Sequence, residues 1–337
     1  MGESEEFFEP GTVVKTIEMH CGGSPMRIVA SGVPKPKGNT YDERFNYLKT
    51  KQDFVRRFVT NEPRGNRDLV VALLMEPDKE ADLGVVFLSV GSYLAMCGES
   101  TLCTCRYAVD NGLVKYQEPE VKFTLQCPCG LVECYVQCAD GKAGKARFHS
   151  VPSFVHTPGV SLMLPNGQSV KSNVVFGGAF YLLVDDSELG FDVKKFDYKN
   201  NMSLLANLER EANKQIKVSH PDKDIKIIAG SIIKDSRTET SYHIITLMED
   251  CIVRGFCGSG STTRATLDYF SGRLKLGESR LYAGVIAGGA TRATPLKTCK
   301  IGRYDAVVIS IEAKAYYTGR NELTFESDDD LKGGFET

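Results

Sequence analysis

One short pattern occurs twice in this chain and constrains the fold more than any other feature. Cys97 and Cys257 are each followed directly by glycine, and a further glycine stands fifteen positions after each cysteine, at Gly112 and Gly272. Apolar side chains recur at helical spacing in between, and glycine is the residue that best suits the position after a helix end. The repeat therefore predicts two similar domains, each presenting a cysteine at the start of a helix.

The length and the remaining patterns agree with two domains of mixed helix and strand. A chain of 337 residues exceeds the size at which a single hydrophobic core stops growing, ~250 to 300 residues. Alternating and apolar runs predict strands within 12–32, 69–75 and 84–90, and an apolar face predicts a helix over 41–61. The segment 139–168 is rich in Gly, Lys, Pro and Ser, and we place the change of domain there.

Four cysteines lie close together in 121–138, where the alternation predicts a hairpin that turns at Pro128 or Gly130. They are Cys127, Cys129, Cys134 and Cys138. The alternation places the first pair on one face of a strand and the second pair on one face of the next. The paired C-x-x-C spacing of zinc ribbons is missing. We therefore expect packed core thiols in preference to a zinc site, and no metal.

The charge pattern favours a small-molecule ligand. The formal net charge is -2, and no run of Lys and Arg is dense enough to bind a phosphate backbone, so nucleic acid is not an expected partner. No stretch reaches the ~18 apolar residues of a membrane span, and the first ten residues lack the features of a secretory signal. Eleven cysteines, an odd number, indicate reduced thiols, and we expect a cytoplasmic protein with no membrane partner.

A cysteine at a helix start is suited to proton transfer. The N–H groups and partial positive charge at a helix start lower the pKa of a thiol from its usual ~8.5 and bind carboxylate. If both helix starts act on one amino acid, one thiolate removes the Cα proton and the other thiol protonates the opposite face. Cys97 and Cys257 would be this catalytic pair. The helix amides would stabilise the charge that spreads into the carboxylate, so no cofactor is required.

Other interpretations of these segments fit less well. A single Cys-Gly pair is most often a buried core thiol, but two such pairs in matched contexts favour a functional role. The glycine-rich run 258–263 lacks the Gly-Lys of a phosphate loop and the third glycine of a dinucleotide motif. No serine stands in the Gly-x-Ser-x-Gly frame of hydrolases. We therefore predict a cofactor-independent amino-acid isomerase.

Several motifs resemble those of the proline racemase family, and together they cover nearly the whole chain. They are Met19-His20 with Gly22-Gly23, Pro25 to Val29, Glu62 to Gly65, Met96 to Gly98, Phe148 to Phe154, Gly177 to Tyr181, and Cys257 to Gly260. That family includes proline racemases, hydroxyproline epimerases and trans-3-hydroxyproline dehydratases. The resemblance implies an α+β fold of the diaminopimelate epimerase type: two similar domains, each a curved sheet or incomplete β-barrel around a central helix, with the active site in the cleft between them.

The resemblance also implies domain boundaries, an oligomeric state and catalytic residues. The first domain would comprise 1–150 with a C-terminal return segment at 311–337, the second 151–310, and the protein would be a homodimer. Cys97 matches the first acid/base of the family. Cys257 matches the second cysteine of racemases and epimerases, at the position where the dehydratases carry threonine.

Two observations leave the activity open. The residues Pro128 to Val132 and His149 look most like the animal dehydratase, whereas Cys257 looks like a racemase or epimerase residue. We give more weight to Cys257, because inversion needs two acid/base groups, whereas dehydration needs one base and a departing hydroxyl. The prediction is a racemase or epimerase acting on proline, hydroxyproline or a related amino acid, with trans-3-hydroxy-L-proline dehydratase as the alternative.

The chain departs from the family at positions that bind the substrate amine. Glu99 replaces the family's His after Met-Cys-Gly, Val253 replaces the Asp four residues before the second cysteine, and Phe256 replaces a Pro. Either Glu99 supplies the missing anion, or it only favours a helix start. A carboxylate near Cys97 disfavours its thiolate, so Cys257 would be the resting base. A family member with an altered substrate or without catalysis is a further alternative.

The predicted ligand-binding residues lie around the two cysteines and in the Gly-Gly motif. They are Gly98, Glu99, Ser100, Gly258, Ser259, Phe180, Tyr181, Val253 and Phe256. The residues that follow each cysteine would offer helix-start amides to the substrate carboxylate. The aromatic side chains would line the ligand, although each of them suits a protein core equally well.

Overall fold

The computed structural model of the protein describes residues 8–197, 200–235, 240–247 and 251–336. The chain divides into two compact units. The first comprises the residues up to Ala146 together with those from Lys314 onwards, and the second is Arg147–Ala313. Each unit therefore contains one of the two cysteine-glycine segments.

Strands outnumber helices in the described part of the chain. The strands are β1 (Val13–Cys21), β2 (Ser24–Ser31), β3 (Val70–Met75), β4 (Leu83–Ser89), β5 (Ser92–Leu94), β6 (Glu120–Cys127), β7 (Gly130–Ala139), β8 (Lys142–His149), β9 (Phe154–Met163), β10 (Ser169–Phe176), β11 (Phe180–Asp185), β12 (Ile228–Lys234), β13 (Thr240–Leu247), β14 (Cys251–Val253), β15 (Arg280–Gly284), β16 (Ala290–Ile301), β17 (Tyr304–Ala313) and β18 (Ala315–Thr324). The helices are α1 (Tyr41–Lys51), α2 (Asp53–Thr60), α3 (Gly98–Asp110), α4 (Asp186–Leu189), α5 (Met202–Gln215) and α6 (Gly258–Phe270), with a short 3-10 turn at Val193–Lys195.

The first unit is built on a sheet of mixed strand direction. β1 pairs antiparallel with β18 and with β2, β2 pairs parallel with β3, and β3 pairs antiparallel with β4. β4 then pairs antiparallel with the short β5 and parallel with β6, which forms an antiparallel hairpin with β7. Alternate residues of β6 and β7 are buried, so one face of this hairpin packs on the core.

The second unit repeats this succession of pairings. β10 pairs antiparallel with β9 and with β11, β11 pairs parallel with β12, and β12 pairs antiparallel with β13. β13 pairs antiparallel with the short β14 and parallel with β15, which pairs antiparallel with β16. The same order of antiparallel and parallel neighbours confirms the internal repeat that the two cysteine segments predict.

A central helix is buried on nearly every side in each unit. Eleven of the 13 residues of α3 and ten of the 13 residues of α6 are buried. α3 contacts β1, β2, β3, β7 and β18, whereas α6 contacts β9, β10, β11, β16 and β17. Each sheet therefore curves around its helix.

Both central helices end in the same way. Gly112 and Gly272 have positive φ angles of 66° and 76°. In each case the glycine N–H donates to the carbonyl three residues earlier, and the following residue donates its N–H to the carbonyl five residues earlier. These two bonds form a Schellman motif, in which glycine adopts the left-handed conformation at no steric cost. Both predicted helix ends are confirmed.

The predicted helix over 41–61 is divided into α1 and α2. Gln52 separates them in a non-helical conformation, with φ of -130° and ψ of 27°. The break changes the direction of the chain, and both pieces bury apolar residues in the same core, Leu48 from α1 and Phe54 and Phe58 from α2. The sequence pattern does not reveal this break, because the apolar residues of both pieces follow the same helical spacing.

The other predicted elements agree with the structure apart from one turn residue. The predicted strands within 12–32 are β1 and β2, and those at 69–75 and 84–90 are β3 and β4. Cys127 pairs with Gly130 across the hairpin, so Cys129 lies in the turn and not on a strand face. No helix within the described ranges is long and apolar enough to cross a membrane.

Candidate active site

Cys97 occupies the position immediately before α3. Its backbone is extended, with φ of -132° and ψ of 121°, and its side chain is half-buried. Its carbonyl oxygen accepts the N–H of Thr101 and the hydroxyl of Thr101, each at 2.8 Å. N–H groups in the first turn of a helix lack acceptors within the helix, so those of Gly98, Glu99 and Ser100 are suited to an anion such as carboxylate.

The Glu99 carboxyl is buried beside thiols. Only 6% of the residue is exposed, and the hydroxyl of Ser24 donates to Oε1 at 3.3 Å. Burial, followed by the charges of Glu99 and Cys97, raises the pKa of the Cys21 thiol. Burial, followed by the charges of Cys21, Cys97 and Glu99, also raises the pKa of Cys103. These two neighbouring cysteines therefore stay protonated, and Glu99 lies inside the unit, unlike a solvated helix-start residue.

Cys257 occupies the equivalent position before α6, but in a different conformation. It is 6% exposed and has φ of 52° and ψ of 109°. A non-glycine residue in this region is strained and must be held there by its surroundings. The neighbouring Gly260 leaves room for the thiol, since a Cβ at that position would lie 3.3 Å from Cys257 Sγ.

The carbonyl of Phe256 is the group that holds this backbone. The hydroxyl of Ser261 donates to it at 2.8 Å, and Nε2 of His243 lies 2.8 Å from it. Arg264 Nη1 lies 3.2 Å from Nδ1 of His243. A guanidinium can only donate, so Nδ1 accepts, and Nε2 carries the hydrogen that is donated to Phe256. Burial, followed by the charge of Arg264, lowers the pKa of His243 to about 3, which keeps the imidazole neutral.

Two hydroxyl groups lie beside the Cys257 sulfur. The Tyr181 hydroxyl oxygen lies 2.7 Å from Ser259 Oγ and 3.8 Å from Cys257 Sγ, and Ser259 Oγ lies 3.6 Å from the same sulfur. Val253 packs against the hydrophobic cluster that contains Tyr181 and Cys257. The site in this unit therefore offers hydroxyl groups but, at position 253, an apolar side chain where the family has a carboxylate.

A double-glycine turn packs on the first turn of α6. A Cβ on Gly177 would lie 2.7 Å from Thr263 Cγ2, 2.9 Å from Thr263 N and 3.0 Å from the carbonyl oxygen of Ser259. Only glycine permits this approach. In the first unit the equivalent turn between β1 and β2 is Gly22-Gly23, and Ser24 directly after it contacts α3. Both units therefore place a glycine turn against the start of the central helix.

The structure brings together most of the predicted site residues within each unit, but not all. Gly98, Glu99 and Ser100 are buried in the first turn of α3, and Gly258 and Ser259 form the first turn of α6. Phe180 is different. Its side chain belongs to the larger core formed with Phe154 and Phe176, whereas Tyr181 belongs to the cluster of Cys257. Neighbouring residues of a strand point to opposite faces, so Phe180 faces away from Cys257. Phe256 contributes its backbone carbonyl.

Sequence reasoning missed three residues near the cysteines. Ser24 contacts the Glu99 carboxyl, and His243 and Arg264 fix the backbone before Cys257. A signal exists for Arg264, because it and Asp268 are charged residues inside a helix whose remaining positions are uncharged. The signal for Ser24 is its position directly after Gly22-Gly23, the turn that is equivalent to the one at Gly177 in the second unit. His243 stands in β13 between polar residues before it and apolar residues after it, and its position gives no signal of a role.

The cysteine-rich hairpin is not arranged as a metal site. Within the ranges that the structure describes, no group of three or more His, Cys, Asp or Glu side chains is placed to hold a metal ion. Cys134 and Cys138 lie on the buried face of β7. Burial, with a hydrogen bond to Cys105, raises the pKa of Cys134, as expected for a packed core thiol.

The order of the motifs and the repeated architecture agree with comparisons to known proteins. The family model described as Proline racemase matches residues 16–336. The chain belongs to the proline racemase family. A trans-L-3-hydroxyproline dehydratase of Saccoglossus kowalevskii is 38% identical over 323 residues, which are 94% of this chain and 99% of the relative. A proline racemase of Clostridioides difficile is 31% identical, covering 96% of this chain and 97% of the relative.

A solved structure supports the fold of this proline racemase family member. The crystal structure of a hydroxyproline epimerase from Agrobacterium vitis, with bound trans-4-OH-L-proline, matches with a TM-score of 0.86 and 26% identity, over 97% of this chain and 95% of that one. The predicted α+β fold class, with two similar domains of the diaminopimelate epimerase type, is confirmed. The relatives carry the names of isomerases and of a lyase, so the family includes both reaction classes.

Proposed function

We propose that this protein is a cofactor-independent racemase or epimerase that inverts the Cα of proline, hydroxyproline or a related amino acid. One observation carries the proposal. Cys97 and Cys257 both stand immediately before a buried 13-residue helix, at equivalent places in two units with the same order of strand pairings. A lone core thiol does not explain why this arrangement occurs twice.

The chemistry uses the two sulfurs in complementary roles. One cysteine, as thiolate, removes the Cα proton, and the other, as thiol, returns a proton to the opposite face. The charge of the intermediate spreads into the substrate carboxylate, where helix-start N–H groups of 98–100 and 258–260 stabilise it. The hydroxyl groups of Tyr181 and Ser259 beside Cys257 support the thiolate form of that residue, since a thiolate accepts hydrogen bonds.

The amine of the substrate needs a different partner from the one that the family uses. Val253 packs against an apolar cluster and offers no charge. We propose that the carboxylate of Glu99 binds the ammonium group in its place, because it is an anion two residues after Cys97. A substrate with a protonated ring nitrogen would offer this carboxylate an opposite charge, and a buried charge is stabilised when it is paired.

Dehydration is the second candidate, and the comparisons give it specific support. The dehydratase relative is 38% identical to this chain and the racemase relative 31% identical. Water loss from a 3-hydroxyproline requires one base at Cα and a departing hydroxyl group, so it needs only one of the two cysteines. The presence of a cysteine at 257, where the dehydratases carry threonine, favours the first proposal.

The test is incubation with L-proline, the hydroxyproline isomers and a panel of other amino acids in D2O. Inversion with deuterium at Cα supports a racemase or epimerase, whereas loss of water to an imino acid supports the dehydratase. No exchange with any compound of the panel would contradict both and favour a non-catalytic family member. Proton NMR and chiral chromatography of the recovered amino acids distinguish these outcomes.

A matched pair of variants separates the two candidates further. Cys257→Thr introduces the dehydratase residue, and Cys299→Ser removes a cysteine elsewhere in the second unit as the control. For a racemase, Cys257→Thr loses inversion while Cys299→Ser retains it. For a dehydratase, both variants retain water loss. Inversion that survives in Cys257→Thr would remove this cysteine from the mechanism.

A further inference from the structure

The turn of the β6–β7 hairpin contains two thiols in close contact. Cys127 pairs with Gly130, which makes Pro128 and Cys129 a two-residue turn between the strands. Proline is favoured at the first central position of such a turn because its φ angle is already fixed. The turn brings Cys127 Sγ to 3.2 Å from Cys129 Sγ, although neither residue forms a disulfide.

The two thiols differ in their access to solvent. Cys127 is buried and Cys129 is half-buried, so a dissolved reagent reaches Cys129 first. The hydrogen bond with Cys129, together with burial, raises the pKa of Cys127. Cys127 therefore keeps its proton, and both the Cys129 sulfur and the carbonyl oxygen of Gly130, 3.6 Å from Cys127 Sγ, lie within reach of it. Cys129 is the more accessible thiol of the pair, and reactive cysteines lie in partly exposed positions.

The turn is also connected to the segment that carries Cys97. The backbone N–H of Cys129 donates to the carbonyl oxygen of Ala95 at 3.0 Å. Ala95 lies two residues before Cys97, within the same compact unit. A change in the backbone of the turn thus acts directly on the short connection that leads into α3.

We propose that Cys127 and Cys129 are a dithiol site that exchanges with small-molecule disulfides of the glutathione type, and that its oxidation alters the backbone at Ala95–Cys97. A disulfide requires a sulfur separation of about 2.05 Å, so the sulfurs must approach each other by about 1.2 Å from their present positions. A bond across so short a loop is strained, and strained disulfides are the labile ones that are readily reduced again. The site is therefore reversible. This inference does not depend on the proposed function.

The exchange balances in two steps. The Cys129 thiolate attacks one sulfur of the small disulfide, which forms a mixed disulfide and releases one thiolate. Cys127 then loses its proton to solvent and attacks the Cys129 sulfur, which closes the Cys127–Cys129 bond and releases the second thiolate. Two protein thiols are oxidised, and one small disulfide is reduced to two thiols.

The test equilibrates the full-length protein in buffers of increasing glutathione disulfide to glutathione ratio, then traps the remaining thiols with N-ethylmaleimide. The tryptic peptide 123–142 contains Cys127, Cys129, Cys134 and Cys138. We expect this peptide to lose two hydrogens in oxidising buffer and to carry the label only on the last two cysteines, as located by tandem mass spectrometry. Dithiothreitol should reverse the change. Label on all four cysteines at every ratio would overturn the proposal.

The link to Cys97 is tested by its rate of alkylation with iodoacetamide in the reduced and the oxidised protein. We expect the two rates to differ by about fivefold or more, the usual lower range for coupled sites. Cys129→Ser should abolish the difference, and Cys299→Ser, the control with the same number of cysteines, should keep it. Equal rates in the reduced and oxidised protein would refute the coupling. These readouts need no turnover, so they remain informative if the proposed activity fails.

Discussion

The two helix starts occupy equivalent positions in the two units, but the cysteines differ in backbone conformation and burial. Cys97 is half-buried with an extended backbone, whereas Cys257 is buried with a positive φ of 52°. The carbonyl before Cys257 is fixed by Ser261 and by the neutral His243. The same strand pairings therefore support one relaxed and one constrained cysteine. The backbone strain at Cys257 lies at one of the two cysteines to which the proposal assigns proton transfer.

The chemical difference lies one residue beyond the repeated Cys-Gly pair. The second residue of α3 is Glu99, and the second residue of α6 is Ser259. A buried carboxylate disfavours a second negative charge nearby, whereas a hydroxyl can donate a hydrogen bond to one. We therefore expect the resting thiolate on Cys257 and the resting thiol on Cys97. In the proposed mechanism the duplication supplies two acid/base positions, and this one residue would give them different roles.

The largest expected effect comes from removing either sulfur. Cys97→Ser and Cys257→Ser should each lower the rate of inversion by about 10²- to 10⁴-fold, the usual contribution of a positioned acid or base. Cys299→Ser should leave the rate unchanged. Measurement of Cα deuterium incorporation from each substrate enantiomer then shows which cysteine serves which face. Activity retained in either serine variant would contradict the equivalence of the two helix starts.

The next effect concerns the glycine turn of the second unit. Gly177→Ala should lower the free energy of unfolding by about 1 to 3 kcal/mol, because the added methyl group cannot fit beside Thr263 without displacing α6. Gly319→Ala is the control, since no atom lies near its added Cβ. Urea unfolding followed by circular dichroism measures both. An unchanged midpoint for Gly177→Ala would mean that the start of α6 is free to shift.

A pH effect follows from His243. Its pKa in the folded protein is about 3, against an ordinary value of 6.5, so between these values the unfolded chain binds more protons than the folded one. The stability that His243 contributes is therefore complete above pH 6.5 and is lost as the pH falls, by at most about 1.4 kcal/mol per pH unit.

His243→Gln isolates that contribution, because glutamine keeps a donor for Phe256 and an acceptor for Arg264 but does not titrate. The free energy of unfolding of the variant should fall less steeply than that of the wild-type protein between pH 6.5 and pH 5. Urea unfolding at several pH values measures the two slopes. Parallel slopes would show that His243 does not hold its neutral form in the fold.

The smallest expected effect tests the difference between Glu99 and Ser259. Glu99→Gln removes the negative charge beside Cys97 and should speed alkylation of Cys97 at pH 7 about two- to tenfold, because more of the thiol ionises. Alkylation of Cys257 in the same sample is the internal control and should not change. A slower reaction at Cys97 would mean that the Glu99 carboxyl is protonated and does not oppose the thiolate.

Several parts of this protein could be predicted from its sequence because they depend on local rules. The Cys-Gly starts and the glycines fifteen residues later specify two helices, since only glycine adopts the left-handed conformation of a Schellman end without cost. The pairs β1–β2 and β6–β7 follow from alternation and turn residues. The family follows from motifs that remain recognisable along the chain.

Tertiary structure alone decided how the two cysteines are held. No local rule places a cysteine at a positive φ, and His243 reaches the carbonyl of Phe256 only because β13 pairs with β14. Adjacent aromatic residues, Phe180 and Tyr181, were separated into two cores by strand geometry. The break at Gln52 likewise depends on packing. Residue type and spacing fix which groups are available, whereas long-range packing fixes their directions, because side-chain contacts join residues that lie far apart in the chain.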